Sequence, residues 1–112
     1  MRAEELKGHL DGLLLAALED GPQHGYAVMD ALRRSTGGRV DLPTGTIYPA
    51  LHRLEQAGLI AGSWSVVGGR RRRMYQLTPA GTKALSGKRA DWRDFAAIMS
   101  AALEARQWPS PA

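Results

Sequence analysis

The reading of one stretch decides the fold: LPTGTIYPALHRLEQAGLIAGSWSVVGGRRRRMYQLTPAG, residues 42–81. Its hydrophobic period changes once. Ile47, Ala50, Leu51, Leu54 and Gly58/Leu59 recur at threes and fours, the spacing of one helical face. From Ile60 the repeat falls to two, with Trp64 and Val66 on one face and Arg71, Arg73, Tyr75 and Leu77 alternating after the Gly68-Gly69 turn signal. The expectation is a helix ending at Gly58, followed by a two-stranded ribbon over Ile60–Val67 and Arg71–Leu77. Pro43 pushes Leu42 off helical angles, so Thr44 or Thr46 is the expected cap. Pro49 is awkward inside a helix and tolerable only near its first turn.

Upstream, Leu10, Leu13, Leu14, Ala17 and Leu18 share a helical face. That helix starts between Ala3 and His9 and ends at Asp20, broken by Gly21-Pro22. A second helix runs from His24 to Ser35, with Tyr26, Met29 and Leu32/Arg33 in its repeat and Gly37-Gly38 closing it. Both are too short to hold alone and must pack together. Val40-Asp41-Leu42 is an extended connector. Downstream, Thr78 caps and Pro79 opens a long helix over Ala80–Gln107. Leu85, Trp92 and Met99 lie seven apart in it, with Ala96 and Leu103 completing a seam suited to packing on another long helix. Pro109 and Pro111 end the chain.

The expected order is thus three helices, a basic ribbon and a long helix: mainly α with a small β-hairpin (α+β). Helices two and three form a helix-turn-helix and the ribbon its wing. Residues 1–78 are the expected winged helix-turn-helix domain, and 79–112 a dimerisation helix and tail. The solvent face of the third helix carries Gly45, Thr46, Pro49, His52, Arg53 and Gln56, with Tyr48 on the flank. Small residues allow close approach to DNA, Arg53 suits guanine or phosphate, and Gln56 suits adenine. The helix N-terminus, at Thr44, can hold a phosphate. Arg70, Arg71, Arg72 and Arg73 follow the turn, where a hairpin tip would carry charge to a phosphate backbone or a minor groove. Strand alternation splits them: Arg70 and Arg71 belong at the tip, whereas Arg73 lies over the domain beside Tyr75 and Leu77.

Charge supports the same reading. The 112 residues carry a net +4. Residues 56–90 hold seven Lys/Arg and no acid, while residues 1–55 net −2 and 91–112 net −1. A basic segment within a near-neutral chain is the footprint of a polyanion-binding element. The chain has no cysteine, which excludes disulfide scaffolds, thiolate zinc and cysteine nucleophiles. Its longest apolar run, Leu13–Leu18, is too short to span a bilayer, and no secretory signal is visible. His9, His24 and His52 show no metal-ligand spacing. The adjacent acids Glu4-Glu5 and Glu19-Asp20 point apart on helices and form no catalytic pair. Neither an enzyme activity nor a cofactor is expected.

Leu13–Leu85 resembles the PadR family of bacterial transcriptional regulators. The matching strings are Leu14–Leu18, His24-Gly25-Tyr26, Gly45–Glu55, Gly58-Leu59-Ile60 and Gly69–Gly81. Met74 departs from the Lys or Tyr common there. The single helix after the wing resembles the small-subunit branch. The resemblance implies a cytoplasmic homodimer that represses promoters carrying an inverted-repeat operator in double-stranded DNA and releases it on binding a small aromatic or lipophilic effector. It also implies that Tyr26, Thr46, Tyr48, Pro49, His52 and the wing arginines contact DNA. In multidrug-sensing relatives a tryptophan at the place of Trp92 stacks flat ligands at the dimer centre. From the residues alone, Trp92 is either a packed dimer-core aromatic or half of such a sandwich, with Leu14, Phe95, Ala96 and Met99 as apolar walls and Asp91 and Asp94 at its flanks. The expected dimer surface is Leu10, Leu85, Trp92, Ala96, Met99 and Leu103. A protein-interaction module that binds DNA only non-specifically is the alternative.

Overall fold

A computed structural model describes Leu6 and residues 8–105. In chain order it comprises α1 (Leu10–Ala17), β1 (Gln23–His24), α2 (Gly25–Ser35), α3 (Thr44–Gln56), β2 (Ile60–Val67), β3 (Arg70–Leu77) and α4 (Pro79–Leu103). The three strands form one antiparallel sheet in the order β1-β3-β2. The expected ribbon is present with Val67 opposite Arg70, Trp64 opposite Arg73 and Ile60 opposite Leu77. Gly68 and Gly69 both adopt positive φ, 59° and 76°, which the tight two-residue turn demands.

α1 stops at Ala17, three residues short of the expected Asp20. The Leu18 and Glu19 amides reach back to Leu15 and Ala16, so the last turn tightens into i→i−3 bonds. The described part of the helix begins at Leu10; Ala3 lies outside the described residues, as do Glu4-Glu5. α1 is also apolar over more of its circumference than a single stripe. Leu14, Leu15 and Leu18 are all fully buried, because α2, α3 and α4 each pack on it. α4 ends at Leu103 with Glu104 as its C-cap, short of the expected end at Gln107; Gln107, Pro109 and Pro111 themselves lie outside the described residues.

The cap of α3 differs from expectation. Pro43 is the N-cap, without a side-chain bond, and Thr44 and Thr46 are the first and third helical residues. Pro43 offers its carbonyl to the Thr46 and Ile47 amides, 3.0 and 3.1 Å, so the chain needs no hydroxyl there. Pro49 is therefore the sixth helical residue, past the first turn. The helix runs on through it, and the Gly45 carbonyl loses its usual partner at position 49. At α2 the His24 side chain accepts from the Ala27 amide at 3.3 Å. At α4 the Thr78 hydroxyl accepts from the Gly81 amide at 3.1 Å and donates to the Gly58 carbonyl at 2.6 Å.

The core is entirely apolar among the described residues and joins α1, Val28 and Leu32 of α2, the buried side of α3, Ile60, Tyr75 and Leu85. Val40 and Leu42 of the connector are buried too and anchor the turn between α2 and α3. α4 touches this core only through its first turns, where Gly81 and Leu85 are its buried residues. A 25-residue helix is about 37 Å long, so most of it projects. The radius of gyration is 17.3 Å, against about 13 Å for a compact chain of this length.

Candidate nucleic-acid interface

α2, the connector and α3 form the helix-turn-helix, and β2–β3 is the wing. Ile47, Ala50, Leu51 and Leu54 dock α3 on the core, which leaves Thr44, Gly45, Pro49, His52, Arg53 and Gln56 exposed, with Thr46 and Tyr48 half-buried. The first turn of α3 has no capping side chain; the Pro43 carbonyl takes the Thr46 and Ile47 amides, and the positive end of the helix dipole lies at the exposed Thr44 and Gly45.

Arg53 has a partner that its position on α3 did not suggest. Its guanidinium donates to Asp11 of α1 at 2.9 Å. The pair is solvent-exposed, worth at most about 1 kcal/mol, and so can be exchanged for a phosphate at small cost.

Beside α3 a second group gathers from three elements. Tyr26 is not in the core-facing repeat of α2, where Val28 and Leu32 are buried; it is 54% exposed. Its ring meets Tyr48 edge-on with centroids 6.5 Å apart, and the Arg72 guanidinium lies 5.7 Å above it. Burial, then the neighbouring Tyr26, raises the Tyr48 pKa, against the opposing pull of Arg72. The phenol therefore remains protonated at neutral pH and is a hydrogen-bond donor. Tyr48 is half-buried, its ring end packed on Gly25, where an added Cβ would come within 2.6 Å of it; the exposed Tyr26 phenol and the Arg72 guanidinium beside it suit a phosphate.

The structure sends the four arginines in different directions. Arg70 is exposed at the turn. Arg71 stacks on Trp64, 4.7 Å from the ring centroid. Arg72 points across the sheet edge to Tyr26. Arg73 donates to Glu55 at the end of α3, 2.6 Å. Arg70 and Arg71 stand at the tip, as expected, paired with Val67 and Val66 on opposite faces of the ribbon, and Arg72 stands with Tyr26 and Tyr48.

The far end of the molecule presents an apolar stripe on α4. Trp92, Phe95, Ile98 and Leu103 are each more than half exposed, and Met99 is 39% exposed. The Trp92 and Phe95 rings lie 5.8 Å apart, and His9 meets Trp92 edge-on at 6.1 Å. Ala96 is half-buried and Asp91 and Asp94 are exposed. Two expected members do not belong here. Leu14 is fully buried and Leu85 is 3% exposed, both within this chain's own core, so neither offers surface to a ligand or a second subunit. Leu10 is half-buried against the same core. Ile98 was not singled out from the sequence, because it falls outside the seven-residue repeat that picked Trp92 and Met99. No group of metal-ligating side chains occurs among the described residues, and no described helix is long and apolar enough to cross a membrane.

Comparisons with known proteins agree with this architecture. Residues 14–87 match the family described as the transcriptional regulator PadR-like family. The transcriptional regulator Rv3488 of Mycobacterium tuberculosis is 44% identical over 77 residues, 69% of each chain. Among solved structures, a PadR-like transcriptional regulator from Bacillus cereus superposes with a TM-score of 0.80 at 26% identity, covering 93% of this chain and 100% of that one. A PadR family regulator from Eggerthella lenta gives 0.78 at 30% identity, covering 92% and 88%.

Proposed function

This chain belongs to the PadR-like family of transcriptional regulators, proteins that bind DNA rather than catalyse a reaction, and on that footing we propose that it is a ligand-responsive repressor acting as a homodimer on an inverted-repeat operator. Each subunit lays the exposed face of α3 in a major groove, and the wing follows the adjacent backbone. The observation that carries this is the meeting of Tyr26 of α2, Tyr48 of α3 and Arg72 of the wing beside the exposed side of α3. The groups to which we assign DNA contact are Tyr26, Thr44, Gly45, Thr46, Tyr48, Pro49, His52, Arg53, Gln56, Arg70, Arg71 and Arg72.

The α4 stripe is the proposed dimer surface. An aromatic and aliphatic face this exposed loses free energy in water unless something covers it, and a second copy supplies an identical stripe across a two-fold axis. Trp92, Phe95, Ala96 and Met99 near that axis form the proposed effector site for a flat aromatic or lipophilic molecule. Such a dimer calls for a palindromic operator, since protein and DNA then share one symmetry.

Selection of bound fragments from genomic DNA tests the reading. A recovered inverted repeat with half-sites one helical turn apart, or a multiple of it, is the expected result. Salt-sensitive binding without sequence preference instead identifies an interaction module whose basic wing touches DNA indiscriminately.

A further inference from the structure

Trp64 stands on the wing at 57% exposure, and its neighbour Val66 at 74%. Nothing in the fold needs an indole there, since the core ends at Ile60 and Tyr75. The ring is nonetheless held in one attitude. Arg71 lies 4.7 Å from its centroid and Arg73, directly across the ladder, 5.6 Å. Arg73 is itself fixed by Glu55 at the end of α3. That bond crosses β2 above Gly62, where an added Cβ would come within 2.7 Å of the Arg73 guanidinium and 2.8 Å of the Glu55 carboxylate. Trp64 and Val66 share a ribbon face with Ile60, Tyr75 and Arg73, the groups that meet the core and α3. The indole therefore lies on the same side of the sheet as the recognition helix, between the core and the wing tip.

We propose that Trp64, backed by Arg71, is a DNA-contacting residue of the wing: its ring packs against the deoxyribose wall of the minor groove next to the α3 site, while Arg71 neutralises the adjoining phosphate. The occupant follows from the chemistry of the patch. An apolar plane flanked by two guanidiniums repels cations and gains little from a purely apolar partner. It fits a surface that alternates flat apolar units with anionic ones, which sugar and phosphate do. Glu55 offsets the charge of Arg73, which leaves Arg71 as the cation facing the phosphates, and no acid occurs between residues 56 and 90. Arg71 is thus not a mobile tip charge but one held in place by its stack. The proposal rests on the DNA-binding reading and deepens it.

The test compares wild type, Trp64→Phe and Trp64→Ala on the selected operator and on a scrambled duplex, with thermal melts to verify folding. DNA should change the tryptophan emission of wild type, and Trp64→Phe should lose that change while keeping most of the affinity. Trp64→Ala should bind roughly two- to fivefold more weakly, the range an exposed cation–aromatic contact supports. It should also lose hydroxyl-radical protection beside the half-site while keeping protection of the major-groove bases. Removing Arg71 from Trp64→Ala should cost less than removing it from wild type, because the pair acts together. Wild-type affinity in both Trp64 variants, with the emission change intact, overturns the proposal and leaves the patch to a protein partner; the operator-binding reading then still stands. If wild type itself prefers no sequence, it is that reading which fails.

Discussion

At the residue scale, the side chains assigned to the proposed interface divide by physical task. His52 and Gln56 lie on the exposed side of α3, where hydrogen bonding to base edges carries sequence information. Replacing either by Ala should alter preference among base pairs by about 1–3 kcal/mol at the contacted position, read from competition with single-base operator variants. Arg70 and Arg72 hold charge instead. Arg70→Ala with Arg72→Ala should weaken binding to all sequences and flatten the dependence of affinity on salt, which reports the phosphates neutralised. His24 adds a dependence on pH. Burial, then the charge of Arg72, lowers its pKa, and its neutral nitrogen caps α2. With the folded pKa below the unfolded value of ~6.5, the cap is intact above that value. Its contribution is lost as pH falls through the folded pKa, because the unfolded chain takes up the proton more readily. The melting temperature of wild type should therefore drop between pH 7 and pH 5 more than that of His24→Asn, since Asn caps a helix without titrating.

At the scale of elements, the junctions matter more than the elements. The wing is tied to α3 through Arg73–Glu55, and α4 is tied to the α3–β2 loop through Thr78, whose amide donates to the Leu59 carbonyl at 3.1 Å. Gly81 packs so tightly under that loop that an added Cβ would stand 1.9 Å from the Leu59 carbonyl oxygen. Backbone cannot yield as a side chain can, so Gly81→Ala must shift the first turn of α4. It should cost about 1–3 kcal/mol or more in denaturant unfolding. Much of this level was legible. The period change at Ile60, the Gly68-Gly69 turn and Thr78-Pro79 announced the ribbon and the start of α4. β1 was not legible, because a two-residue strand has no period of its own and exists only through pairing Gln23 with Tyr75 and His24 with Met74. The α3 cap was misread because Thr is a good capping residue, whereas here the Pro43 carbonyl already occupies the third and fourth amides.

At the scale of the molecule, a small body carries a long helix on one shoulder. α1 and the turn that follows it link the two through charge as well as packing. Asp11 pairs with Arg53 of α3, and Glu19 pairs with Arg89 of α4, whose second amino group donates to it at 3.0 Å. That pairing lowers the Glu19 pKa and raises that of Arg89. α1 thus lies between the recognition helix and the α4 stripe that the dimer reading assigns to a second copy. Met99→Asp with Leu103→Asp should give a chain that retains its helices but sediments near 12.1 kDa, while wild type at micromolar concentration sediments at twice that mass. The same variant should bind a full operator far more weakly than wild type, since two half-sites no longer act together. A wild type that sediments as a monomer would remove the basis for both outcomes.

The sequence by itself determined the order of the four helices and the ribbon, the basic wing and the side of α3 that faces water, because period, turn chemistry and charge are local properties. It also carried the family resemblance in strings such as Gly45–Glu55. Tertiary structure alone decided which side chains meet. Strand alternation limited how four arginines could be divided, but only packing sent Arg71 to Trp64, Arg72 to Tyr26 and Arg73 to Glu55. Packing likewise took Leu14 and Leu85 out of the proposed dimer and ligand surface, since α1 is enclosed on three sides and the first turns of α4 close the core. A heptad repeat records that residues share a stripe. Where the core ends along that stripe depends on the neighbouring helices, and no spacing within α4 encodes it.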